Sequence, residues 1–271
     1  MEYSQGIYDI SNEEYHESEG VSKSGLMLFK KSPLHYWNRY RNPNKLVSEE
    51  QSQSMILGSA FHCLVLEKDD FNHRYFVDNE KIDRRTSEGK KRFEEIKISQ
   101  RGKILLPTSM FEKINKMADS FFSNPYASKF LENAKIEKSL FWNDRHTDIL
   151  CKTRPDIWQP NLIIDLKTSA DASCDSFRKS IARYGYHIQA AMAQDGIHNC
   201  TGSFINEFIY LVVETEEPYA VGIYILDQDS INRGHNEYKT ILQKFKEYED
   251  KKLDVWEGYK PSLISLPAYY I

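Results

Sequence analysis

The sequence predicts an α/β (α+β) domain, a short mixed β-sheet flanked by helices, and three features predict it. Hydrophobic spacing changes from helical to strand-like near residue 136, a helical segment then separates two strands, and a long amphipathic helix closes the pattern. We read 1–271 as one domain, with 1–135 mainly helical and 136–271 carrying the central sheet.

The elements follow in order. VSKSGLMLFKKSPLHYWNRY opens on a serine suited to cap a helix, carries Leu26, Leu28 and Phe29, and breaks at Pro33. SMILGSAFHCLVLE is a stronger helix, because Leu57, Ala60, Phe61, Leu64 and Val65 form one apolar stripe. SMFEKINKMADSFFSNPYASKFL is helical as far as Pro125 and resumes after it. Strands are expected at 138–142, 148–158, 162–168, 206–215 and 219–227, all rich in β-branched and aromatic residues. SFRKSIARYGYHIQAAMAQDGI forms the crossover helix between the third and fourth strands, and residues 228–251 form the closing helix.

Composition narrows the class. Hydrophobic content of 40%, with 17 Tyr and 14 Phe, supports a packed core and argues against disorder. No apolar run approaches the roughly 20 residues of a membrane span. The four cysteines (63, 151, 174 and 200) are scattered without a CxxC pair, which argues against zinc and iron–sulfur sites. With an acidic, polar N-terminus, they fit a reducing cytoplasm. Net charge is −4, yet Lys81–Lys103 holds nine Lys/Arg against four acids, a local excess of five. Such a cluster suits a phosphate backbone, and equally suits a solvated helix face.

The chemistry concentrates in RPDIWQPNLIIDLKT, residues 154–168. Alternation along a strand puts Asp165 and Lys167 on one face and Leu162, Ile164 and Leu166 on the other, so the charged side is expected to face a cleft. A hairpin centred on Pro160-Asn161 would set Asp156 opposite Asp165. Two carboxylates that close repel unless a cation lies between them, and oxygen ligands favour magnesium or manganese. Pro160 argues for a looser turn, and Pro155 for an edge or bulge beside Asp156. A metal held this way activates water for phosphodiester hydrolysis, with a nearby lysine to orient it. The same spacing also suits an ion pair on an exposed hairpin, and spacing alone does not choose.

The pattern R-P-D, then D-L-K, resembles the PD-(D/E)xK nuclease core. GIYDISNEEYHESEGVSKSGL, LGSAFHCLVLE, the RRTSEGKK segment, YGYHIQAAMAQDG and SLISLP resemble, in that order, the nuclease domain of RecE-type exonucleases. More distantly the chain is similar to lambda exonuclease and RecB-type nuclease domains. The resemblance implies that His62, Asp156, Asp165 and the Leu166 carbonyl bind metal, that Lys167 is the catalytic lysine, and that Gln189 lines the site. It places Glu137 near the site, although an ordinary acid at a strand start would look the same. RecB-like members carry a tyrosine four residues after the glutamine, where this chain has Ala193; Tyr186, one turn before Gln189, is the candidate substitute. Ser22, Lys23 and Ser24 fall where lambda-type enzymes contact a 5′ phosphate, though Ser22 is equally a plain helix cap. Arg84 and Arg85 are further DNA-contact candidates.

The implied activity is a magnesium-dependent exodeoxyribonuclease, with manganese able to substitute. It would degrade linear duplex DNA from 5′ ends and leave 3′ tails for recombination. A closed homo-oligomeric ring, a RecT-like single-strand annealing partner and a bacterial or phage-infected cytoplasm are implied in the same way. Two other readings compete. An endonuclease or an iron–sulfur nuclease of the Cas type would use the same core, but the latter lacks its cysteine cluster here. A catalytically inactive DNA-end-binding protein would have no need of His62, Asp156, Asp165 and Lys167 together.

Overall fold

A two-residue turn at Pro160-Asn161 sets the register on which the rest of the sheet is built. In the computed structural model Gln159 pairs with Leu162, Trp158 with Ile163 and Ile157 with Ile164, the register expected from the sequence. Neither turn residue has positive φ, as Pro160 requires. The structure describes residues 2–44, 51–78, 85–251 and 263–265.

The N-terminal part runs β1 (Gly6–Tyr8), α1 (Asn12–Glu17), α2 (Lys23–Lys31), α3 (Pro33–Tyr40) and α4 (Gln53–Leu66). After a short 3-10 turn come α5 (Phe71–Arg74), β2 (Tyr75–Asp78), α6 (Ser87–Ser99), β3 (Ile104–Pro107) and α7 (Thr108–Ser123). Serines 11, 22, 32 and 52 cap α1, α2, α3 and α4 by accepting a backbone N–H from three residues on. Ser32 and Pro33 divide the first predicted helical segment as expected. The helix before Pro125 is α7, and beyond it only a 3-10 turn (Ser128–Leu131) follows.

The second half runs β4 (Lys135–Ile136), β5 (Ser139–Asn143), β6 (Leu150–Thr153), β7 (Ile157–Gln159), β8 (Leu162–Ser169), α8 (Cys174–Tyr184), α9 (Tyr186–Thr201), β9 (Glu207–Glu214), β10 (Val221–Ile225) and α10 (Gln228–Lys251). Two expectations need correction. The strand predicted at 148–158 is two strands in different sheets: β6 joins β1 and β5, whereas β7 joins the sheet ordered β10-β9-β8-β7-β4. Pro155 has no N–H to continue a ladder, so the chain leaves one sheet before it and enters the other after Asp156. The crossover helix is likewise two, because Gly185 adopts φ 64°, a conformation open to glycine at little cost.

β8 and β9 pair in parallel along eight residues, with α8 and α9 as the crossover that parallel pairing demands. Both faces of this sheet are covered. Ile164, Leu166, Ile209, Leu211 and Val213 pack with α4 and α7 on one side. Ile163, Phe208, Tyr210 and Val212 pack with Phe177 of α8 and Ala190, Ala193 and Ile197 of α9 on the other. A third core joins α2, α3 and α10 to α9 and to β5–β6. There Gly234 lets α10 cross α9 closely: a Cβ would lie 2.1 Å from the His187 carbonyl oxygen. Among the described residues no helix is long and apolar enough to cross a membrane.

Candidate metal centre

The break between β6 and β7 creates the site. Arg154, Pro155 and Asp156 lie outside any strand, so the Asp156 carboxylate is free to turn toward β8, where its Oδ2 accepts the Leu166 N–H at 2.7 Å. The Asp156 carbonyl accepts the N–H of Glu137, just after β4. Glu137 has φ 49°, a left-handed conformation that costs a non-glycine residue energy and is typically kept at functional positions. α4 closes the third side and presents His62, whose Nδ1 stands 3.7 Å from Asp156 Oδ2. One ligand atom each from His62, Glu137 and Asp156 lies within 4.8 Å of the others.

Asp165 forms the other half. Its side chain is buried against α9, where Gln189 Nε2 donates to Oδ1 at 2.5 Å and Lys167 pairs with Oδ2. The expectation that this charged face opens onto a cleft is therefore corrected: α8 and α9 cover it. In this side-chain arrangement Asp165 turns to Lys167 and Gln189 and stands outside the His62–Glu137–Asp156 group. The Lys167 ammonium lies 5.0 Å from the Tyr186 ring centroid, and the Lys23 ammonium 5.3 Å from it. Tyr186 thus reaches the site from the first turn of α9, while Ala193 is packed in the sheet core.

Burial without enough positive charge shapes the electrostatics. Glu137 is pushed up to about 8, first by burial and then by the Asp156 charge. Asp165 rises to about 6, mainly by burial, with Lys167 opposing and Asp156 adding. Asp156 is also raised by burial against the pull of Lys167. His62 falls to about 4 through burial and the Lys167 charge, which leaves a neutral imidazole with a lone pair to offer. The Leu166 backbone hydrogen-bonds to His62, so that residue meets both His62 and Asp156. Burial would discharge Lys167, but Asp165 and Asp156 hold its pKa above the usual lysine range. Lys23 is lowered to about 8 by burial and by Lys167.

Buried carboxylates that favour protons are carboxylates short of a cation, and a bound divalent ion reverses that preference. Glu137, Asp156 and His62 offer two carboxylates and one imidazole, a mainly oxygen donor set that fits a hard divalent ion.

The other sequence-derived candidates lie as follows. Ser22 is the cap of α2, accepting the Gly25 N–H at 3.3 Å, and Ser24 is exposed in the first turn. Arg85 is exposed in the turn before α6, and Arg84 lies outside the described residues. Two contributors escaped the sequence reading. Tyr210, paired with Asp165 across β8–β9, donates its hydroxyl to the Tyr186 carbonyl and fixes the start of α9. Arg154 donates Nε to Glu137 Oε2 at 2.6 Å. The R of R-P-D was visible, but its partner lies 17 residues earlier, across a strand break that spacing does not reveal.

No curated protein matches the sequence. A crystal structure of a Eubacterium rectale protein provisionally assigned as an exonuclease matches with TM-score 0.64 and 14% identity, covering 91% of this chain and 89% of that one. At that identity the likeness establishes the fold. The structure named SSO0001 overlaps with TM-score 0.28 and 16% identity, covering 66% of this chain and 85% of that one, too weakly to bear on the assignment. The family described as "PDDEXK-like domain of unknown function (DUF3799)" matches residues 22–255. A split carboxylate site beside a strand lysine, within this fold, is what that motif describes, and the chain belongs to the PDDEXK-like family.

Proposed function

We propose that this chain is a divalent-metal-dependent exodeoxyribonuclease that degrades linear duplex DNA from 5′ ends, leaving 3′ single-stranded tails for recombination. The observation that carries the reading is the His62–Glu137–Asp156 group at the Pro155 break with the Asp165–Lys167 pair of β8 beside it, the three carboxylates all held above their usual range. Magnesium, or manganese in its place, would be held by Asp156, Glu137, His62 and the Leu166 carbonyl, with Asp165 alongside, and would supply Lewis-acid activation of water and of the phosphoryl oxygens.

The protein's own groups do the rest. The Leu166 N–H fixes the rotamer of Asp156, and Gln189 fixes that of Asp165. Lys167, kept protonated by Asp165 and Asp156, orients the attacking water and stabilises the hydroxide that forms from it. Tyr186 lines the space beside Lys167, and Lys23 adds a second cation suited to a phosphate. A ring of several copies, a RecT-like annealing partner and action in a bacterial or phage-infected cytoplasm complete the proposal, and rest on the sequence resemblance.

The test offers 5′-phosphorylated linear duplex and closed circular DNA to the protein, with and without magnesium, alongside Asp165→Ala. We expect digestion of the linear substrate alone, only with metal, and its loss in the variant. Cutting of the circle would make the protein an endonuclease; unimpaired hydrolysis by Asp165→Ala would refute the site.

A further inference from the structure

We propose that Arg154 is a positioning residue of the metal centre, holding the Glu137 carboxylate in place as a ligand; this rests on the reading that the centre binds a divalent cation. Three observations support it. First, Arg154 is almost completely buried, its side chain 7% exposed, and its guanidinium ties the Glu137 carboxylate to groups outside the site. Nε donates to Glu137 Oε2 at 2.6 Å, and one terminal nitrogen donates to Ser139 Oγ at 3.0 Å and to the Ile10 carbonyl at 2.8 Å. The other terminal nitrogen stands 4.0 Å from Glu67 Oε1, a carboxylate already held by both terminal nitrogens of Arg74.

Second, Glu137 needs holding. It sits in a left-handed conformation between β4 and β5, its backbone N–H bonded to the Asp156 carbonyl. Its side chain has one hydrogen-bond donor described, and that donor is Arg154. Third, a planar fork is needed. Two Arg154 nitrogens diverge toward a carboxylate and a hydroxyl at the start of β5 and a carbonyl of the N-terminal segment, a geometry a lysine ammonium on a flexible stem cannot match. With Nε on Oε2, Oε1 is left for the centre, and the arginine connects the N-terminal segment, β5 and the metal site.

A purely structural staple predicts a different result from a positioning residue, and metal binding separates them. Mn2+ affinity is measured by isothermal titration calorimetry and by electron paramagnetic resonance on wild type, Arg154→Lys, Glu137→Gln and the double variant, with circular dichroism to verify folding. Wild type is expected to bind Mn2+; absence of binding there defeats the metal reading itself, and is seen before any variant is compared. Given binding, Arg154→Lys should weaken it about tenfold or more, as loss of a group that orients a ligand does. The double variant should be no weaker than Glu137→Gln within about twofold, because both changes remove one interaction. Wild-type affinity in folded Arg154→Lys, or losses that multiply in the double variant, would overturn the proposal. If Arg154→Lys does not fold, Arg154→Gln replaces it under the same criteria. Failure of both to fold would assign Arg154 to folding instead.

Discussion

Two buried clusters of charge lie on either side of α9, and their carboxylates behave in opposite ways. On the α10 side, Asp144 accepts N–H bonds from His146 and Thr147 and the Thr147 hydroxyl on one oxygen, and Lys239 at 2.6 Å on the other. Lys239 also reaches Asp195 at 2.8 Å, and Tyr238 donates to the same Asp195 oxygen. Burial would raise Asp144, but the Lys239 and Thr147 bonds outweigh it and hold the acid below its usual range. On the β8 side, Asp156 and Glu137 each have a single described side-chain donor, Leu166 N–H and Arg154 Nε, and both acids are raised. The first cluster is saturated and staples α9, α10 and the β5–β6 turn. The second is left short of donors, the signature of a site that keeps its ligands for something else.

That contrast can be broken at several points. The largest effect belongs to Asp156→Asn, which keeps an oxygen for the Leu166 N–H but removes a ligand charge. Magnesium-dependent hydrolysis should fall by roughly 10²–10⁴-fold. Without metal the variant should melt no lower than wild type, since one of three crowded acids is gone. A variant that melts well below wild type would mean the site cluster is a staple after all.

Next, saturating magnesium should stabilise wild type by about 2–3 kcal/mol at a hundredfold excess over Kd, and should leave Asp156→Asn unmoved in differential scanning calorimetry. A shift of equal size in both would place the ion elsewhere. Asp144→Asn tests the opposite cluster. It should cost about 2 kcal/mol in denaturant unfolding, from a lost charge-assisted bond to Lys239, while leaving Mn2+ affinity unchanged.

The smallest effect concerns a third buried charge, Lys152, which donates to the Tyr15 and Ser18 carbonyls at the C-terminal end of α1. Burial lowers this lysine to about 8 from its usual 10.5. Between those values the unfolded chain binds more protons than the folded one, so this group's contribution to stability rises with pH across that window. The stability difference between wild type and Lys152→Met should therefore grow from pH 8 to 10 in chemical unfolding. A difference that stays flat would mean that Lys152 is not desolvated.

Much of the fold was legible. The stripe Leu57–Val65 became the face of α4 in the sheet core, and the Pro160-Asn161 centre gave the β7–β8 register to the residue. Alternation placed Ile164 and Leu166 opposite Asp165 and Lys167, as found. Less legible were the segments whose partners are remote. β1 adds to β5 across more than 130 residues, and β2 pairs with β3 around α6. Short strands of this kind carry little pattern of their own and are fixed by the sheet they join.

What the sequence determined by itself is local: which segments coil and which extend, where serine and proline divide them, and which strand carries an acid and a lysine two residues apart. These follow from side-chain periodicity and backbone sterics within a few residues. Only the tertiary structure decided that Pro155 hands the chain from one sheet to another, that α9 lies over Asp165, and that His62, Glu137 and Asp156 meet with Arg154 behind them. Those outcomes depend on how donors and charges more than 15 residues apart share one desolvated space, and the energy of that sharing exists only once the chain has packed.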